Sequence, residues 1–325
     1  MVVDRERVKS EFAAYTDRYD SSDGKIKLKI DHTYRVADIC ERIAKSLSLS
    51  GKDTDLAWLL GMVHDIGRFE QLKRYGTFSD AQSIDHAHFG VELLYETSVA
   101  ENDMSDEMQA AFGQGIAQEK DIEEISLKRD RMDSSLEEKS GNNIGNTEKL
   151  SEAIFLENFI EISPDEEEFQ IIKTAIWNHS AYRVEEGLDD RTEMFCHILR
   201  DADKVDIFKV CQDTPLEVIY NVTTEEVKQA GVTDKVMKQF FERHAILRSV
   251  KRTPVDNLVG HAALVFELVY PESLRLAREQ GYLKKIFDFE SDNPQTMEDF
   301  RRMRECAAEY VREKCGALNE KNDYE

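Results

Sequence analysis

Apolar residues recur along this chain at three- and four-residue intervals, the spacing of helices that bury one face. Val8, Phe12, Tyr15 and Tyr19 predict a first helix, and Val36, Ile39, Cys40, Ile43 and Leu47 a second that begins close to His32. A third is predicted from about Thr54 to His64, through Leu56, Leu59, Leu60 and Val63, stopping near Gly67. Another covers Asp85 to Thr97. Ser163-Pro164-Asp165-Glu166 reads as a helix start, with Ser as cap, Pro in the first turn and Glu at the capping-box position. That helix carries Phe169, Ile172 and Ile176 and ends near His179; the next holds Phe195, Ile198, Leu199, Ala202 and Val205. Further helical patterns occupy roughly 233–250, 255–270, 272–288 and 295–315. Lys25–Ile30 alternates as a strand would but has no pairing partner, and reads as an extended or short helical lead-in. The predicted fold class is all-α.

Five Pro and 15 Gly in 325 residues leave few breaks in this pattern. Residues 101–150 depart from it, with thirteen acids against six bases and the Gly/Asn-rich run after Ser140, and read as a mobile acidic insertion. The tail from Asn319 to Glu325 reads as frayed. Asp and Glu total 66 against 43 Lys and Arg, a formal net charge of −23. Such a surface repels phosphate backbones and argues against duplex nucleic acid as a partner. A small anionic ligand stays open, because a bound cation reverses the field locally. Mean hydropathy is −0.55, and no apolar run reaches the roughly 18 residues of a membrane span. The opening MVVDRERVKSEF is too charged for a secretory signal. Cys40, Cys196, Cys211, Cys306 and Cys315 are odd in number and contain no CxxC pair, which points to reduced thiols in a cytoplasm.

The eight histidines carry most of the chemical information. Four segments that hold them lie where predicted helices start or end, the first three beside carboxylates or Gly: Asp31-His32, His64-Asp65-Ile66-Gly67, Asp85-His86-Ala87-His88-Phe89-Gly90 and Asn178-His179. Helical proteins assemble metal sites in this way, from side chains projected inward by several helices. Imidazole nitrogen with carboxylate oxygen suits Mn, Co, Ni, Zn or Fe better than Mg or Ca. No GxxxxGK[ST] phosphate loop and no GxSxG elbow offers a competing chemistry.

Asp31-His32-Thr33-Tyr34-Arg35-Val36-Ala37, Leu60-Gly61-Met62-Val63-His64-Asp65-Ile66-Gly67 and Arg200-Asp201-Ala202-Asp203-Lys204-Val205 together resemble the HD-domain superfamily of metal-dependent phosphohydrolases, matching its H…HD…D elements in order. His64 to Gln71 also looks like an uncharacterised bacterial HDIG-type branch. The resemblance implies an all-α HD-domain bundle over 30–210 with 101–150 as an insertion, preceded by a helical lead-in at 1–29 and followed by a helical region at 211–325 packed on it. That last region has no motif and could complete the core, form a homodimer face or shape the pocket.

By the same resemblance His32, His64, Asp65 and one of Asp201 or Asp203 are metal ligands. The two aspartates lie ~200° apart on a helix, so only one faces the metal; the family context favours Asp203, with Asp201 as the fallback. Asp206, one turn on, could face the cavity or orient a neighbour. His86 and His179 resemble later histidines of two-metal members. They either complete a four-His, two-Asp set for two metals bridged by Asp65, or hydrogen-bond or protonate the substrate phosphate beside a single metal. The cofactor expected is thus a divalent transition metal, Mn, Co, Ni, Zn or Fe with Mg admitted, at one or two per chain. The HD-GYP branch does not fit, because Asn178 replaces a histidine and Ser180-Ala181-Tyr182-Arg183-Val184 lacks the GYP element.

The activity implied is hydrolysis of a phosphate ester, of a nucleotide or another small phosphorylated metabolite, by a hydroxide that the cation generates from bound water. Lys204, Arg35 and Arg68 are candidate phosphate contacts; Tyr75, Thr77, Phe78 and Asp80 are candidate pocket residues. Two alternatives stand beside it: a di-iron oxygenase resembling the myo-inositol oxygenase group, and a catalytically silent nucleotide sensor. His88, His197, His244 and His261 are read as structural.

Overall fold

The computed structural model describes residues 1–95, 156–160, 164–215, 217 and 222–315. Regular structure among them is helical: α1 (Arg5–Thr16), α2 (Gly24–Ser46), α3 (Gly51–Val63), α4 (Gly67–Tyr75), α5 (His86–Tyr95), α6 (Leu156–Phe159), α7 (Glu166–Asn178), α8 (Asp190–Asp213), α9 (Thr224–Gln229), α10 (Asp234–Phe241), α11 (Val255–Ala262), α12 (Pro271–Gln280), α13 (Tyr282–Phe287) and α14 (Pro294–Cys315), with 3-10 turns at Asp80–Gln82, Arg248–Val250 and Ala263–Glu267. The expected all-α class is what the chain adopts. Short polar side chains start the helices that frame the site: Asp23 for α2, Ser50 for α3, Asp165 for α7 and Asp189 for α8 each accept backbone N–H bonds of the first turn.

The packing that positions the site belongs to the compact unit formed by Met1–Val91 and the chain from Glu157 onward. In it α2 packs on α3 and α8, α7 packs on α8, and α8 also meets α11, α12 and α13. Val36, Ala37, Cys40 and Ile43 of α2 are fully buried, as are Leu59, Leu60 and Val63 of α3 and Ile198, Leu199, Ala202 and Val205 of α8. Burying one such aliphatic side chain contributes about 1.5–3 kcal/mol, so this seam fixes the three helices that carry most of the polar cluster. Gly61 lets α2 and α3 touch: a Cβ there would sit 2.4 Å from the Ala37 Cα and 2.6 Å from its N. Gly67 does the same for α4 and α5, where a Cβ would lie 2.3 Å from the His86 carbonyl oxygen.

Several boundaries differ from the sequence expectations. Lys25–Ile30 is helical, as the second of its two readings had it, and continues without a break as the first turns of α2. Its alternation is also compatible with a helix, since Ile26 and Thr33, two turns apart on the same face, are both buried there. Gly67 starts α4 instead of ending a helix. The cap of α7 is Asp165, whose carboxylate and Glu168 form the capping box, so the box lies two residues beyond the expected one; Ser163 lies outside the described residues. The 272–288 pattern divides at Gly281, in the left-handed region at φ 70°. The 233–250 pattern stops at Phe241, with Arg243 left-handed at φ 61°, and the 255–270 pattern tightens to 3-10 geometry from Ala263. Residue 29 lies inside α2 and residue 210 inside α8. The expected insertion at 101–150 and the tail at 319–325 fall outside the described residues. No helix among those described is long and apolar enough to cross a membrane.

Candidate metal centre

Two histidines of the cluster occupy the same local position. A helix ends with carbonyls that have no intrahelical partner. His64 follows the last residue of α3 and its Nδ1–H donates to the Gly61 carbonyl at 2.8 Å; His179 follows the last residue of α7 and donates to the Ile176 carbonyl at 2.6 Å. Carboxylates do the same for the other two. His32 Nδ1 lies 2.6 Å from Asp206 Oδ2, and His86 Nδ1 lies 2.9 and 3.0 Å from the two oxygens of Asp80. Every one of these partners accepts hydrogen bonds, so each Nδ1 bears a proton, and in the neutral ring the lone pair is then at Nε2.

The four Nε2 atoms converge on Asp65. Its Oδ2 lies 3.5 Å from His32 Nε2 and 3.4 Å from His64 Nε2. Its Oδ1 lies 3.4 Å from His86 Nε2 and 3.6 Å from His179 Nε2. Asp203 Oδ1 joins the first pair, 3.1 Å from His32 Nε2 and 3.9 Å from His64 Nε2. Donor atoms of His32, His64 and Asp203, and of His64, Asp65 and His179, fall within 4.8 Å of one another, close enough for each group to hold an ion. The four histidines and Asp65 are all buried.

A metal fits this arrangement on grounds of the polar atoms themselves. His32 Nε2 and His64 Nε2 are buried without a hydrogen-bond partner, a state that is costly unless something accepts the lone pair. His86 Nε2 and His179 Nε2 face each other at 3.0 Å, two lone pairs that repel unless a cation or proton lies between them. Nitrogen with carboxylate oxygen is the donor set of first-row transition metals, and ligating histidines held from behind at the second nitrogen are a regular feature of such sites.

The electrostatics follow from burial set against neighbours. Burial raises the Asp65 carboxyl, but Lys29 and the imidazoles of His64 and His179 outweigh it and hold Asp65 well below the usual carboxylate range. Burial likewise opposes ionisation of Asp203, and His32 and His64 override it; Asp206 is brought down by His32 and Arg35. Burial and Lys29 lower the His32 imidazole, yet Asp203 and Asp206 more than reverse this and leave it raised. His64 is lowered mainly by burial. Burial, then Arg68, push His86 down to about 4, so it stays neutral and able to ligate near pH 7.

The two candidate aspartates have different contacts. Asp203 faces His32 and His64, whereas Asp201 points the other way and accepts backbone N–H bonds from Val269 at 3.0 Å and Tyr270 at 2.9 Å. Asp206 orients a neighbour: Arg35 grips both its oxygens at 2.6 and 2.9 Å while it holds His32. Arg35 is therefore occupied with Asp206. Arg68 Nη1 donates to Gln71 Oε1, the Phe78 carbonyl and Asp80 Oδ1 at 2.6, 2.8 and 2.9 Å, and its Nε, buried and without a hydrogen-bond partner, forms an ion pair with Asp65 Oδ1 at 3.6 Å. The Lys204 ammonium makes no hydrogen bond among the described residues; burial and Arg200 push it down to about 8, against Asp201, Glu267 and Asp203. Asp80 is tied to the cluster, Phe78 lies beneath Lys29 and Arg68, Thr77 accepts from the Ser79 N–H, and Tyr75 is exposed. His88 stacks on Trp177, and His197, His244 and His261 contact Glu193, Glu242 and Cys211 respectively.

Three residues at the centre were not singled out by the sequence. Lys29 Nζ donates to Asp65 Oδ2 at 2.6 Å; the signal was its place three residues before His32 on one helix. Gln71, fully buried, donates to Asp80, Ser83 and the Ile84 carbonyl. Arg200, buried, donates to the carbonyls of Asn178 and Ala181, each at 2.6 Å, and so holds the turn that carries His179. A charged residue inside the apolar stripe of α8 was the sign of it.

The fold and cluster together define an all-helical protein with a buried histidine–aspartate centre suited to a metal. A family model described as the HD domain matches residues 30–208, more than half of the chain, and the chain belongs to the HD domain family. No match was found among curated proteins or among solved structures.

Proposed function

We propose that the protein is a metal-dependent phosphohydrolase acting on a nucleotide or another small phosphorylated metabolite. The observation that carries this reading is the convergence of four histidine Nε2 atoms, each fixed from behind at Nδ1, on the two oxygens of one buried aspartate. His32, His64, Asp203 and Asp65 Oδ2 would hold one metal; His86, His179 and Asp65 Oδ1 would hold a second. A divalent cation there supplies two things, a lowered pKa for bound water and polarisation of the phosphoryl group. The chain's own residues do the rest. Asp206 with Arg35 keeps His32 in one orientation, and Asp80 with Arg68 and Gln71 keeps His86 in one. Arg68 Nε, beside Asp65 and without a hydrogen-bond partner, offers an N–H to an anion at the site, and Arg68 and Lys29 are the cations beside Asp65 that offset a phosphoryl charge. Lys204 is the weaker candidate for that role.

The test is phosphate release from a panel of nucleotides and phosphomonoesters with Mn²⁺, Co²⁺, Ni²⁺ or Mg²⁺. Asp203→Ala is expected to lower turnover by roughly a hundredfold or more, since it removes a ligand outright; turnover that survives it rejects the reading. The same four-His, two-Asp set supports a second reading, a di-iron oxygenase. Two irons per chain with oxygen consumption and no phosphate release would favour it, and full phosphatase activity with a non-iron metal would reject it.

A further inference from the structure

Asp65 is shared by both halves of the cluster, but its two oxygens have different company. Near Oδ1 the closest cation is Arg68, with Nε at 3.6 Å, and that guanidinium is already paired with Asp80 at 2.9 Å. On Oδ2 sits Lys29 Nζ at 2.6 Å, and Asp65 is its acid partner. The Lys29 side chain is only 17% exposed, and its ammonium lies 5.5 Å from the centroid of the Phe78 ring. Lys29 is one helical turn before His32 on α2, so the backbone that delivers His32 also delivers this ammonium to the same oxygen.

An ammonium and a divalent cation on one carboxylate oxygen repel, and in a buried site solvent screens the repulsion poorly. By donors alone the His32 side is the stronger position, since Asp203 adds a second carboxylate there. We propose that Lys29 is a resident counter-cation that reverses this order. The position on His86, His179 and Asp65 Oδ1 fills first, and that on His32, His64, Asp203 and Asp65 Oδ2 fills only as Lys29 Nζ leaves Oδ2. Metal concentration then sets how many metals the site holds. The proposal rests on the reading of the cluster as a two-metal site.

The test uses the full chain, stripped with EDTA and titrated with Mn²⁺, with free Mn²⁺ followed by electron paramagnetic resonance. Wild type is expected to bind in two steps. Lys29→Met should move the weaker step to lower free Mn²⁺ by about tenfold or more, and Lys29→Arg should keep the two steps apart. In wild type, acetylation of Lys29 read by mass spectrometry should rise across the second step, while exposed Lys27 stays constant as a control. The labelling arm needs no variant, so it stands even if Lys29→Met does not fold. An unmoved weaker step in Lys29→Met, or Lys29 labelling flat through saturation, overturns the proposal. Wild type that binds no Mn²⁺ rejects the two-metal reading itself, an outcome distinct from either of these.

Discussion

Asp206 is buried, gripped through both oxygens by Arg35, and left with one task toward the cluster, which is to accept from His32 Nδ1. Arg35 is part-exposed, so the interaction is anchored at the surface and aimed inward. Asp206→Asn keeps the shape but removes the charge that raises the basicity of the ring. Outer partners of ligating histidines typically account for 10–100-fold in metal affinity, and a loss of about that size in Mn²⁺ affinity is expected, with little change in fold. Unaltered Mn²⁺ binding in Asp206→Asn would remove Asp206 from this role. The partner of neither His32 nor His86 could be read from spacing: Asp206 lies 174 residues from His32, and Asp80 is one of several polar residues at a single 3-10 turn.

At the level of elements, the site depends on how near α2 and α3 approach. Gly61 faces Ala37 with no room for a Cβ, and its carbonyl also takes the His64 Nδ1–H. Gly61→Ala therefore forces the helices apart at the level of His32 and His64. Overpacking of this kind typically costs 1–3 kcal/mol, so a melting temperature lower by several degrees is expected together with weaker metal binding. A variant that melts and binds Mn²⁺ as wild type does would show that the contact is not needed. The helix pattern itself was legible in α1, α2, α3, α7 and α8, because each buries one stripe over several turns. The short α4, α6 and α9 were not, since a helix of nine residues or fewer shows too little periodicity to recognise.

For the molecule as a whole, burial of imidazoles ties stability to pH. A histidine whose pKa is lowered by folding takes up a proton on unfolding once the pH falls below about 6.5, its unfolded value. His86, at about 4, and His261, pushed down to about 3 by burial, Lys251 and Arg248, both do so. His64 has the same sign. His32, raised by folding, has the opposite sign but its share is already fully present below about 6.5. The metal-free protein should therefore lose stability from about pH 6.5 towards pH 4, by roughly 1.4 kcal/mol per pH unit for each proton taken up. His261→Gln should make that slope shallower without touching the cluster. Thermal melts in EDTA across this range test both statements, and a flat profile in wild type would contradict them.

By itself the sequence determined the helical class and the apolar stripes of α2, α3 and α8, because side-chain type and helical period are local properties; which histidines and aspartates belong together it implied only through the resemblance to the HD-domain superfamily. The H…HD…D pattern also named Asp65 and put Asp203 ahead of Asp201. Only the tertiary structure decided that Asp201 serves the Val269–Tyr270 backbone and that each Asp65 oxygen faces its own pair of histidines. It alone set Lys29, Gln71 and Arg200 around them and paired Asp80 with His86. Those contacts join residues far apart in the chain or in irregular segments. They depend on the distances and rotations with which helices pack, and no local spacing encodes these.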